Sequence, residues 1–338
     1  MNNTLKNKKI LITGGTGSIG SAVVKELLKY KCSTIRILGS DENGLHNLSL
    51  SLSIDSKENF FELMKKNNVR FIYGDITDQN RLITATEDID FVIHAAAMKH
   101  VPICEYNPFE ATKVNVIGTE NLIRASIHNK VSKFILISTD KVVEPTTCLG
   151  TTKLLAEKLA INSNLNKGNK KINLSVVRFG NVIGTRGSVL PKFILQAKNN
   201  KTLTVTDIKS TRFFVSIKDA VNSILTSLEI MQGGEVFIPK TIYSMRIYDL
   251  ALVVSQYFNK KPNIDVVGLR GDEKIDEKIL TEYELLRLKK YKDLYLIDNF
   301  HKHKFTKVKN IMDYFCSDKA KILNTNEITK YLIKNDLI

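Results

Sequence analysis

The stretch Lys8-Lys9-Ile10-Leu11-Ile12-Thr13-Gly14-Gly15-Thr16-Gly17-Ser18-Ile19-Gly20 decides the fold of this chain. Its apolar first half predicts a buried strand, and its glycine-rich second half opens an amphipathic helix. Gly14 permits a tight turn, Gly17 lets the backbone approach a pyrophosphate, and Gly20 lets the helix pack close to the strand. The helix N-terminus adds free N–H groups and positive dipole for phosphates. The stretch therefore predicts a dinucleotide site formed by Gly14, Thr16, Gly17, Ser18, Ile19 and Gly20.

Apolar runs alternate with amphipathic stretches through the first half of the chain. The runs are rich in Ile, Val and Phe, which is typical of strands covered on both faces. The candidate strands are Lys9–Thr13, Thr34–Leu38, Arg70–Gly74, Asp90–Ala95, Lys133–Thr139 and Leu174–Phe179. The candidate helices between them include Ser18–Lys31, Thr112–Asn129 and Gly150–Asn162. This alternation predicts an α/β fold with a Rossmann-type doubly wound parallel sheet.

The pattern changes after Phe179, where segments become shorter. One further strand is predicted at Glu235–Pro239, and helices are predicted at Ile247–Phe258, Glu277–Lys289 and Thr325–Lys334. We therefore expect residues 1–180 to form an NAD(P)-binding domain. Residues 181–338 are expected to form mainly a smaller substrate-binding lobe, with a return to the sheet near 205–240.

Composition and charge limit the classes of function. The chain has 50 Lys and Arg against 35 Asp and Glu, a net charge of +15. Without a nucleic-acid-reading motif we interpret this excess as solvated Lys, and we interpret His301 and His303 as part of a solvated basic tail. The four cysteines are widely spaced, so neither a disulfide framework nor a metal site is predicted. With no long apolar run and no apolar N-terminal segment, we expect a cytoplasmic protein without membrane insertion.

The glycine spacing resembles that of the short-chain dehydrogenase/reductase superfamily, in its extended branch. Later segments resemble it too, namely Gly74-Asp75-Ile76 after the third strand, His94-Ala95-Ala96-Ala97 after the fourth, and Asn115 in the next helix. The resemblance implies cofactor contacts from Asp75, Ile76, Ala95, Ala96, Ala97 and Asn115.

The end of the second predicted strand bears on which dinucleotide is bound. An acid there would accept hydrogen bonds from the ribose 2′-OH of NAD, whereas an Arg would accommodate NADP. Gly39 occupies the place of the acid, and Ser40 follows it. The missing acid leaves room for a 2′-phosphate to which Ser40 could donate, so we favour NADP, with NAD as the alternative.

A narrower resemblance extends from about residue 9 to about residue 300. The segments that carry it include Ala95-Ala96-Ala97-Met98-Lys99-His100-Val101-Pro102, Ser138-Thr139-Asp140-Lys141, Arg178-Phe179-Gly180-Asn181-Val182, Gly187-Ser188-Val189, Thr211-Arg212-Phe213-Phe214 and Gly268-Leu269-Arg270 with Glu273. They resemble the nucleotide-sugar 4,6-dehydratases of bacterial polysaccharide and flagellin-sugar biosynthesis, which are lyases.

A 4,6-dehydratase oxidises C4 of the sugar by hydride transfer to NAD(P)+, eliminates water across C5 and C6, and returns the hydride to C6. The resemblance implies that Asp140 is the acid toward the C6 oxygen and that Lys141 is the base at C5, with Thr139 and Lys153 also in the catalytic set. Such a pair belongs at the carboxyl edge of the sheet, beside the nicotinamide. Asp140 must hold its proton and Lys141 must lose one, and we expect burial to favour both states.

The chain departs from the superfamily at Leu149, which stands four residues before Lys153, where the catalytic Tyr is expected. Leucine accepts no proton, so the base for the C4 hydroxyl is unassigned, with Lys141, Asp140 and a water held by Thr139 as candidates. Because C5-inverting members keep the Tyr, the departure favours retention at C5. Lys153 is still expected to hydrogen-bond the nicotinamide ribose.

The implied substrate is UDP- or GDP-N-acetylglucosamine. The matching segments imply substrate contacts from Lys99, Asn181, Ser188, Val189, Lys192, Arg212, Arg270 and Glu273. Arg suits a diphosphate because its planar fork binds two oxygens at once. Relatives form dimers and hexamers, so we expect a homo-oligomer. A nucleotide-sugar epimerase is an alternative that would need the missing Tyr, and a non-catalytic cofactor-binding protein is an alternative that would not need Asp140-Lys141.

Overall fold

A computed structural model describes residues 2–56, 59–66, 68–258, 263–308 and 315–338. The strands are β1 Lys9–Thr13, β2 Thr34–Gly39, β3 Val69–Tyr73, β4 Phe91–His94, β5 Lys133–Thr139, β6 Asn173–Phe179, β7 Asn181–Val182, β8 Leu203–Val205, β9 Thr211–Val215, β10 Glu235–Pro239, β11 Tyr243–Arg246, β12 Ile264–Val266, β13 Leu288–Tyr291, β14 Leu294–Asp298 and β15 Thr306–Lys307.

The α-helices are α1 Asn2–Leu5, α2 Ser18–Leu27, α3 Glu42–Ser56, α4 Phe60–Lys66, α5 Gln79–Thr86, α6 Val101–Tyr106, α7 Pro108–Thr112, α8 Gly118–His128, α9 Cys148–Asn166, α10 Val189–Lys198, α11 Ile217–Ile230, α12 Ile247–Phe258, α13 Glu282–Leu285 and α14 Thr325–Lys334. A π-helical turn, Lys113–Ile117, joins α7 to α8, and a 3-10 turn, Asp140–Val142, follows β5. None of the described helices combines the length and the apolar character that a membrane crossing requires.

The main sheet has the strand order β15-β13-β14-β10-β6-β5-β4-β1-β2-β3. The part from β10 to β3 is parallel, and β14, β13 and β15 add to it as antiparallel strands. Helices flank the sheet, as the buried residues of strands such as β1 and β5 require. The predicted Rossmann-type fold is confirmed. Because β2 and β4 lie on opposite sides of β1, the carboxyl ends of β1 and β4 border the crevice where this fold binds ligands.

A second layer lies beside that crevice. It contains the small sheets β11-β9-β7 and β12-β8. Its own hydrophobic cluster joins α10, α12 and α14 and includes Phe193, Phe214, Leu250 and Leu332. Two later segments return to the main sheet, β10 and the group β13 to β15. The two layers are thus interleaved along the chain.

Two expectations for the C-terminal third are wrong. The helix predicted over Glu277–Lys289 is a short helix, α13, followed by strand β13, because Leu288–Tyr291 pair with β14 in an antiparallel hairpin. His303 does not belong to a solvated tail, since its Nε2 lies 2.6 Å from the Glu235 Oε1 and its ring is buried. Both errors concern residues whose partners are far away in the sequence or on a later strand.

Candidate active site

A cavity of about 680 Å³ lies at the carboxyl ends of β1, β4 and β5. The glycine turn forms one wall, and three distances show why it needs glycine. A Cβ on Gly14, whose φ is +66°, would lie 2.6 Å from the Ala96 backbone nitrogen, and one on Gly20 would lie 2.3 Å from the Gly14 carbonyl oxygen. A Cβ on Gly17 would lie 3.1 Å from the Gly14 carbonyl oxygen. The turn is closed toward the protein and open toward the cavity, so the residues present fit a dinucleotide.

Most residues predicted to contact the cofactor line this cavity. They are Gly14, Thr16, Gly17, Ser18, Ile19, Gly20, Ser40, Asp75, Ile76, Ala95, Ala96, Ala97 and Lys153. Asn115 is the exception. Its side chain is buried behind the cavity wall, where its Oδ1 accepts from the Met98 N–H at 2.8 Å and its Nδ2 donates to Thr152 at 3.1 Å. The predicted contact between Asn115 and the cofactor is therefore corrected. The Asn115 side chain instead joins the cavity wall at Met98 to Thr152 on α9.

Arg186 is a residue that the sequence analysis missed. Its backbone N–H donates to Ser18 Oγ at 3.1 Å, and its guanidinium donates to the Thr16 carbonyl. Lys99 donates to the Arg186 carbonyl at 2.7 Å. This loop of the second layer therefore closes against the glycine turn. The sequence predicts a loop at Gly184–Ser188, but no feature of that loop indicates that Arg186 contacts the glycine turn.

The catalytic candidates follow β5 directly. Thr139 Oγ1 donates to Asp140 Oδ1 at 2.9 Å, and Lys141 Nζ donates to the same oxygen at 3.1 Å. Asp140 is completely buried, and its Oδ2 has no hydrogen-bond partner among the described residues. The 3-10 turn after the strand brings both side chains of the adjacent pair to one edge of the sheet. A carboxyl group and an amino group that can both take part in proton transfer are thus held in contact.

Lys141 does not have the protonation state that we expected. Burial alone would lower the pKa of Lys141, but the carboxylates of Asp140 and Glu277 outweigh it and raise the pKa above its ordinary value. Burial favours the neutral amine, as expected, but the two carboxylates together favour the ammonium form more strongly. Lys141 is an ammonium ion here and must pass its proton on before it can act as a base.

Glu277 is the second residue that the sequence analysis missed. Its Oε1 lies 3.4 Å from Lys141 Nζ, and its Oε2 is buried with no hydrogen-bond partner among the described residues. Ser317 fixes its backbone, because Ser317 Oγ accepts from the Glu277 N–H at 2.8 Å and the Ser317 N–H donates to the Glu277 carbonyl at 2.9 Å. Burial, and then the charge of Asp140, raise the pKa of Glu277 against the opposing cations Lys141, Arg212 and Lys274.

Lys153 and Leu149 lie on α9 at the floor of the cavity. The ammonium of Lys153 donates to the Ile137 carbonyl at 2.6 Å, and burial lowers its pKa to about 8 although Glu157 opposes the shift. Leu149 is buried and lines the cavity at the position of the missing Tyr. The side chain there offers the substrate an apolar surface and no proton acceptor.

A second cavity of about 360 Å³ shares Lys141 and Asn181 with the first. It contains Arg212, Arg270 and Glu273 of the predicted substrate set, whereas Lys99, Ser188 and Val189 line the first cavity. Lys192 lines neither of these two cavities and donates to Thr204 Oγ1 at 2.7 Å. Arg212 is fixed by Glu273, 3.3 Å away, and by backbone carbonyls. Lys141 is therefore the point at which the two spaces meet.

Unpartnered buried polar atoms are concentrated around these two cavities. Most buried polar groups in proteins have a partner, so such a concentration indicates a site that binds something. Within the part of the chain that the structure describes, the atoms concerned are Ser138 Oγ, Asp140 Oδ2, Ser188 Oγ, Glu273 Oε2 and Glu277 Oε2.

Replacement of Gly20 by alanine tests the fit of the glycine turn. The added Cβ would meet backbone atoms of Gly14 and Gly15, so the helix must move away from the turn. Overpacking of this kind costs about 1–3 kcal/mol, which we expect as a lower free energy of unfolding in denaturant titration. Because the displaced helix N-terminus also supplies the N–H groups for the phosphates, we also expect roughly tenfold weaker dinucleotide binding by calorimetry. Ser21→Ala, one residue along α2, is the control, and unchanged binding by Gly20→Ala would contradict the fit.

Comparison with known proteins agrees with this geometry. The family described as polysaccharide biosynthesis protein matches residues 10–299. A UDP-N-acetylglucosamine 4,6-dehydratase (inverting) of Campylobacter jejuni is 44% identical over 80% of this chain and 76% of its own. A UDP-glucose 4-epimerase of Rickettsia bellii is 36% identical over 98% of this chain and 97% of its own. The X-ray structure of Pen from Bacillus thuringiensis has a TM-score of 0.88 and 34% identity, covering 98% of this chain and 99% of that one. The resemblance to nucleotide-sugar 4,6-dehydratases of the extended short-chain dehydrogenase/reductase superfamily is confirmed, and the chain belongs to the polysaccharide biosynthesis protein family.

Proposed function

We propose that this protein is a hydro-lyase that converts a nucleotide-diphospho-N-acetylglucosamine to its 4-keto-6-deoxy sugar. The observation that carries the proposal is Lys141, which is in contact with the buried Asp140 and lies where the dinucleotide cavity meets the second cavity. An epimerase has no use for an acid and a base at C5 and C6. The similarity to the Campylobacter dehydratase supports the same reaction.

The bound dinucleotide would accept the hydride of C4 and return it to C6. Side chains of the protein would carry out the proton transfers. With C4 oxidised, the C5 proton is acidic enough for Lys141 to take it as the amine. Asp140 gives its proton to the C6 oxygen, which leaves as water while the C5–C6 double bond forms. Lys141 then returns a proton to C5. Lys153, with its low pKa, would hold the nicotinamide ribose, and Thr139 orients the Asp140 carboxyl group.

The second cavity fits the anionic part of such a substrate. Arg212 and Arg270 lie in it, and arginine binds the paired oxygens of a diphosphate. Glu273 has a buried free oxygen that could accept from a ribose hydroxyl. UDP- and GDP-N-acetylglucosamine both fit this description. Lys192, which is bonded to Thr204 outside the two cavities, would reach the substrate only if that bond opened.

We infer that the cofactor is NADP, with NAD as the alternative. Gly39 and Ser40 line the cavity at the end of β2, where an acid would exclude a 2′-phosphate. The nearby carboxylate of Asp41 is engaged by the Gly44 N–H at 2.9 Å, at the start of α3.

Retention at C5 is proposed because Leu149 stands where C5-inverting members keep a Tyr, and Lys141 would then both remove and return the C5 proton. The Campylobacter relative is named as inverting, so the configuration at C5 has to be measured on the product. A cytoplasmic location, a homo-oligomer and a role in surface-polysaccharide or flagellin-sugar synthesis are proposed with this activity.

The test is incubation of the purified protein with UDP- and GDP-N-acetylglucosamine, each with NADP and with NAD. We expect a product lighter than its substrate by one water molecule, with a methyl group at C6 and an unchanged C5 configuration by proton NMR. A boiled sample and a sample without added cofactor are the controls. A product of unchanged mass would contradict the proposal.

The second candidate function is a nucleotide-sugar 4-epimerase. The observation in its favour is the similarity to the Rickettsia protein over 98% of this chain. Its product would have the mass of the substrate, so the same spectrum separates the two functions. The pair Asp140 and Lys141 counts against it, because epimerisation at C4 needs no acid at C6 and no base at C5.

A further inference from the structure

Protons must be counted through the proposed reaction, on which this inference rests. Oxidation of C4 releases the hydroxyl proton, and elimination then releases the C5 proton while one proton leaves with the C6 oxygen as water. Between the first step and the return of a proton to C5, the protein therefore stores one proton more than at rest. In the superfamily pattern a Tyr would take the first proton, but here that position is Leu149.

Asp140 and Lys141 alone cannot meet this count. In the resting state these two side chains form an ion pair with 3.1 Å between Lys141 Nζ and Asp140 Oδ1, so the pair holds one proton. Uptake of the C4 proton would leave a neutral Asp140 and a charged Lys141. The acid would then be ready, but no base would remain for C5. A third proton site is required in contact with Lys141.

Glu277 is in the right place to be that site. Its Oε1 lies 3.4 Å from Lys141 Nζ, and both residues line the second cavity. The carboxyl group is almost completely buried, and its free Oε2 can hold a proton without breaking an existing hydrogen bond. Its raised pKa agrees with a group that takes up a proton easily for a carboxylate.

The charged groups that face Glu277 are Lys141, Asp140, Arg212 and Lys274. Lys274 is the more distant of its two direct ion-pair partners, at 4.0 Å, and its Nζ is already bonded to the Val143 carbonyl. Arg212 is held by Glu273 and by backbone carbonyls. Lys141 is therefore the one of these cations that is both close and positioned to exchange a proton with substrate.

We propose that Glu277 stores the C4-hydroxyl proton, received through Lys141, and thereby takes over the task that the residue at Leu149 cannot perform. The step balances: the C4 proton arrives at the cluster, one proton lies on Asp140, one lies on Glu277, and Lys141 is left as the free amine. Elimination then moves the C5 proton to Lys141 and the Asp140 proton to the leaving oxygen. Glu277 does not touch the substrate in this scheme. It acts through Lys141, by taking a proton from the Lys141 ammonium, and is therefore a positioning residue.

The test compares kcat of the wild type with that of Glu277→Gln across pH. The glutamine keeps the shape but stores no proton, so we expect kcat to fall about 100-fold near neutral pH. In the wild type the shared protons stay within the cluster, so kcat should be nearly flat from about pH 7 to pH 9. In Glu277→Gln the excess proton must leave to solvent, so kcat should rise about tenfold per pH unit over that range.

Two further variants separate proton storage from a structural role. Glu277→Asp keeps the carboxylate, and we expect it to restore a flat pH profile within about tenfold of the wild-type kcat. Leu149→Tyr, added to Glu277→Gln, supplies another proton acceptor and should raise kcat at least about tenfold. Glu144→Gln is the matched control, since Glu144 forms an exposed 2.8 Å ion pair with the neighbouring Lys278. A wild-type kcat in Glu277→Gln would overturn the proposal. So would a Glu277→Gln enzyme whose kcat falls by the same factor at every pH and is not raised by adding Leu149→Tyr.

A readout without turnover distinguishes failure of this inference from failure of the proposed function. Isotope-coded acetylation of the full protein over a pH series, read by mass spectrometry of the Lys141 peptide, measures the pKa of Lys141. We expect a lower value in Glu277→Gln than in the wild type and no change in Glu144→Gln. An unchanged Lys141 pKa in Glu277→Gln would overturn the inference even if dehydration occurs. A lowered pKa together with an unchanged substrate mass would instead reject the proposed function.

Discussion

Replacement of Lys141 by methionine is expected to lower kcat about 1000-fold, because Lys141 is the amine that contacts Asp140 among the described residues and is the base assigned to C5. Met fills similar space but accepts no proton. Lys141 hydrogen-bonds Asp140 and Asn181 and not the glycine turn, so the dissociation constant for the dinucleotide, measured by calorimetry, should be that of the wild type. Full residual activity would contradict the role of Lys141 as base.

Removal of Lys141 also leaves Asp140 without its ion-pair partner and Glu277 with the more distant Lys274, and breaking a buried ion pair costs about 3–5 kcal/mol. Lys141→Arg controls for this loss, because its guanidinium keeps the charge but does not release a proton at neutral pH. We expect Lys141→Arg to unfold at a denaturant concentration near that of the wild type and still to lose about 1000-fold in kcat. Lys278→Met removes the lysine next to Glu277, whose ammonium forms an exposed ion pair with Glu144, and this change should leave kcat unchanged.

Replacement of Asp140 by asparagine is expected to stop the reaction one step later. The C6 oxygen then has no proton donor, and loss of general acid catalysis lowers the rate of elimination about 1000-fold. At about pH 9, where the surplus proton can leave to solvent, the Lys141 amine can still remove the C5 proton. In deuterium oxide we therefore expect a 4-keto sugar that keeps its C6 hydroxyl group and gains deuterium at C5, detected by mass spectrometry and NMR.

Asp90→Asn is the control for this variant. Asp90 binds the Lys9 N–H at 2.9 Å near the amino ends of β1 and β4, away from the cavities. It should produce the dehydrated sugar at the wild-type rate. If Asp140→Asn formed dehydrated product at the wild-type rate, or blocked C5 exchange as well, Asp140 would not be the acid assigned to it.

The parallel half of the fold follows from local signals in the sequence. The apolar run Lys133–Thr139 is strand β5 with the predicted bounds, and the glycine turn after β1 has the predicted shape. Each of these elements is specified by its own residues, since a continuous apolar run needs cover on both faces wherever it lies. The cofactor cavity follows for the same reason, because parallel strands bring their carboxyl ends to one edge.

The residues that the sequence did not reveal depend on distant partners. Glu277 becomes part of the site only because Ser317 holds its backbone, and local composition instead favoured a helix over Glu277–Lys289. Arg186 depends on its contacts with Thr16 and Ser18 across the crevice. The raised pKa of Lys141 depends on the charges of Asp140 and Glu277, which outweigh burial, and the contact with Glu277 arises only in the folded chain. Asn115 matches the family motif but does not line the cavity, because its side-chain amide hydrogen-bonds Met98 and Thr152.

The most direct test of the central claim is the reaction of the wild-type protein with UDP- and GDP-N-acetylglucosamine in deuterium oxide, followed by mass spectrometry and NMR of the product. In deuterium oxide the Lys141 nitrogen already carries deuterium, so after it has taken the C5 proton it can return a deuteron to C5 without exchange during turnover. We therefore predict a product that has lost one water molecule and carries one solvent-derived deuterium, located at C5. A product that keeps the substrate's oxygen count, or a dehydrated product without deuterium at C5, would contradict the account.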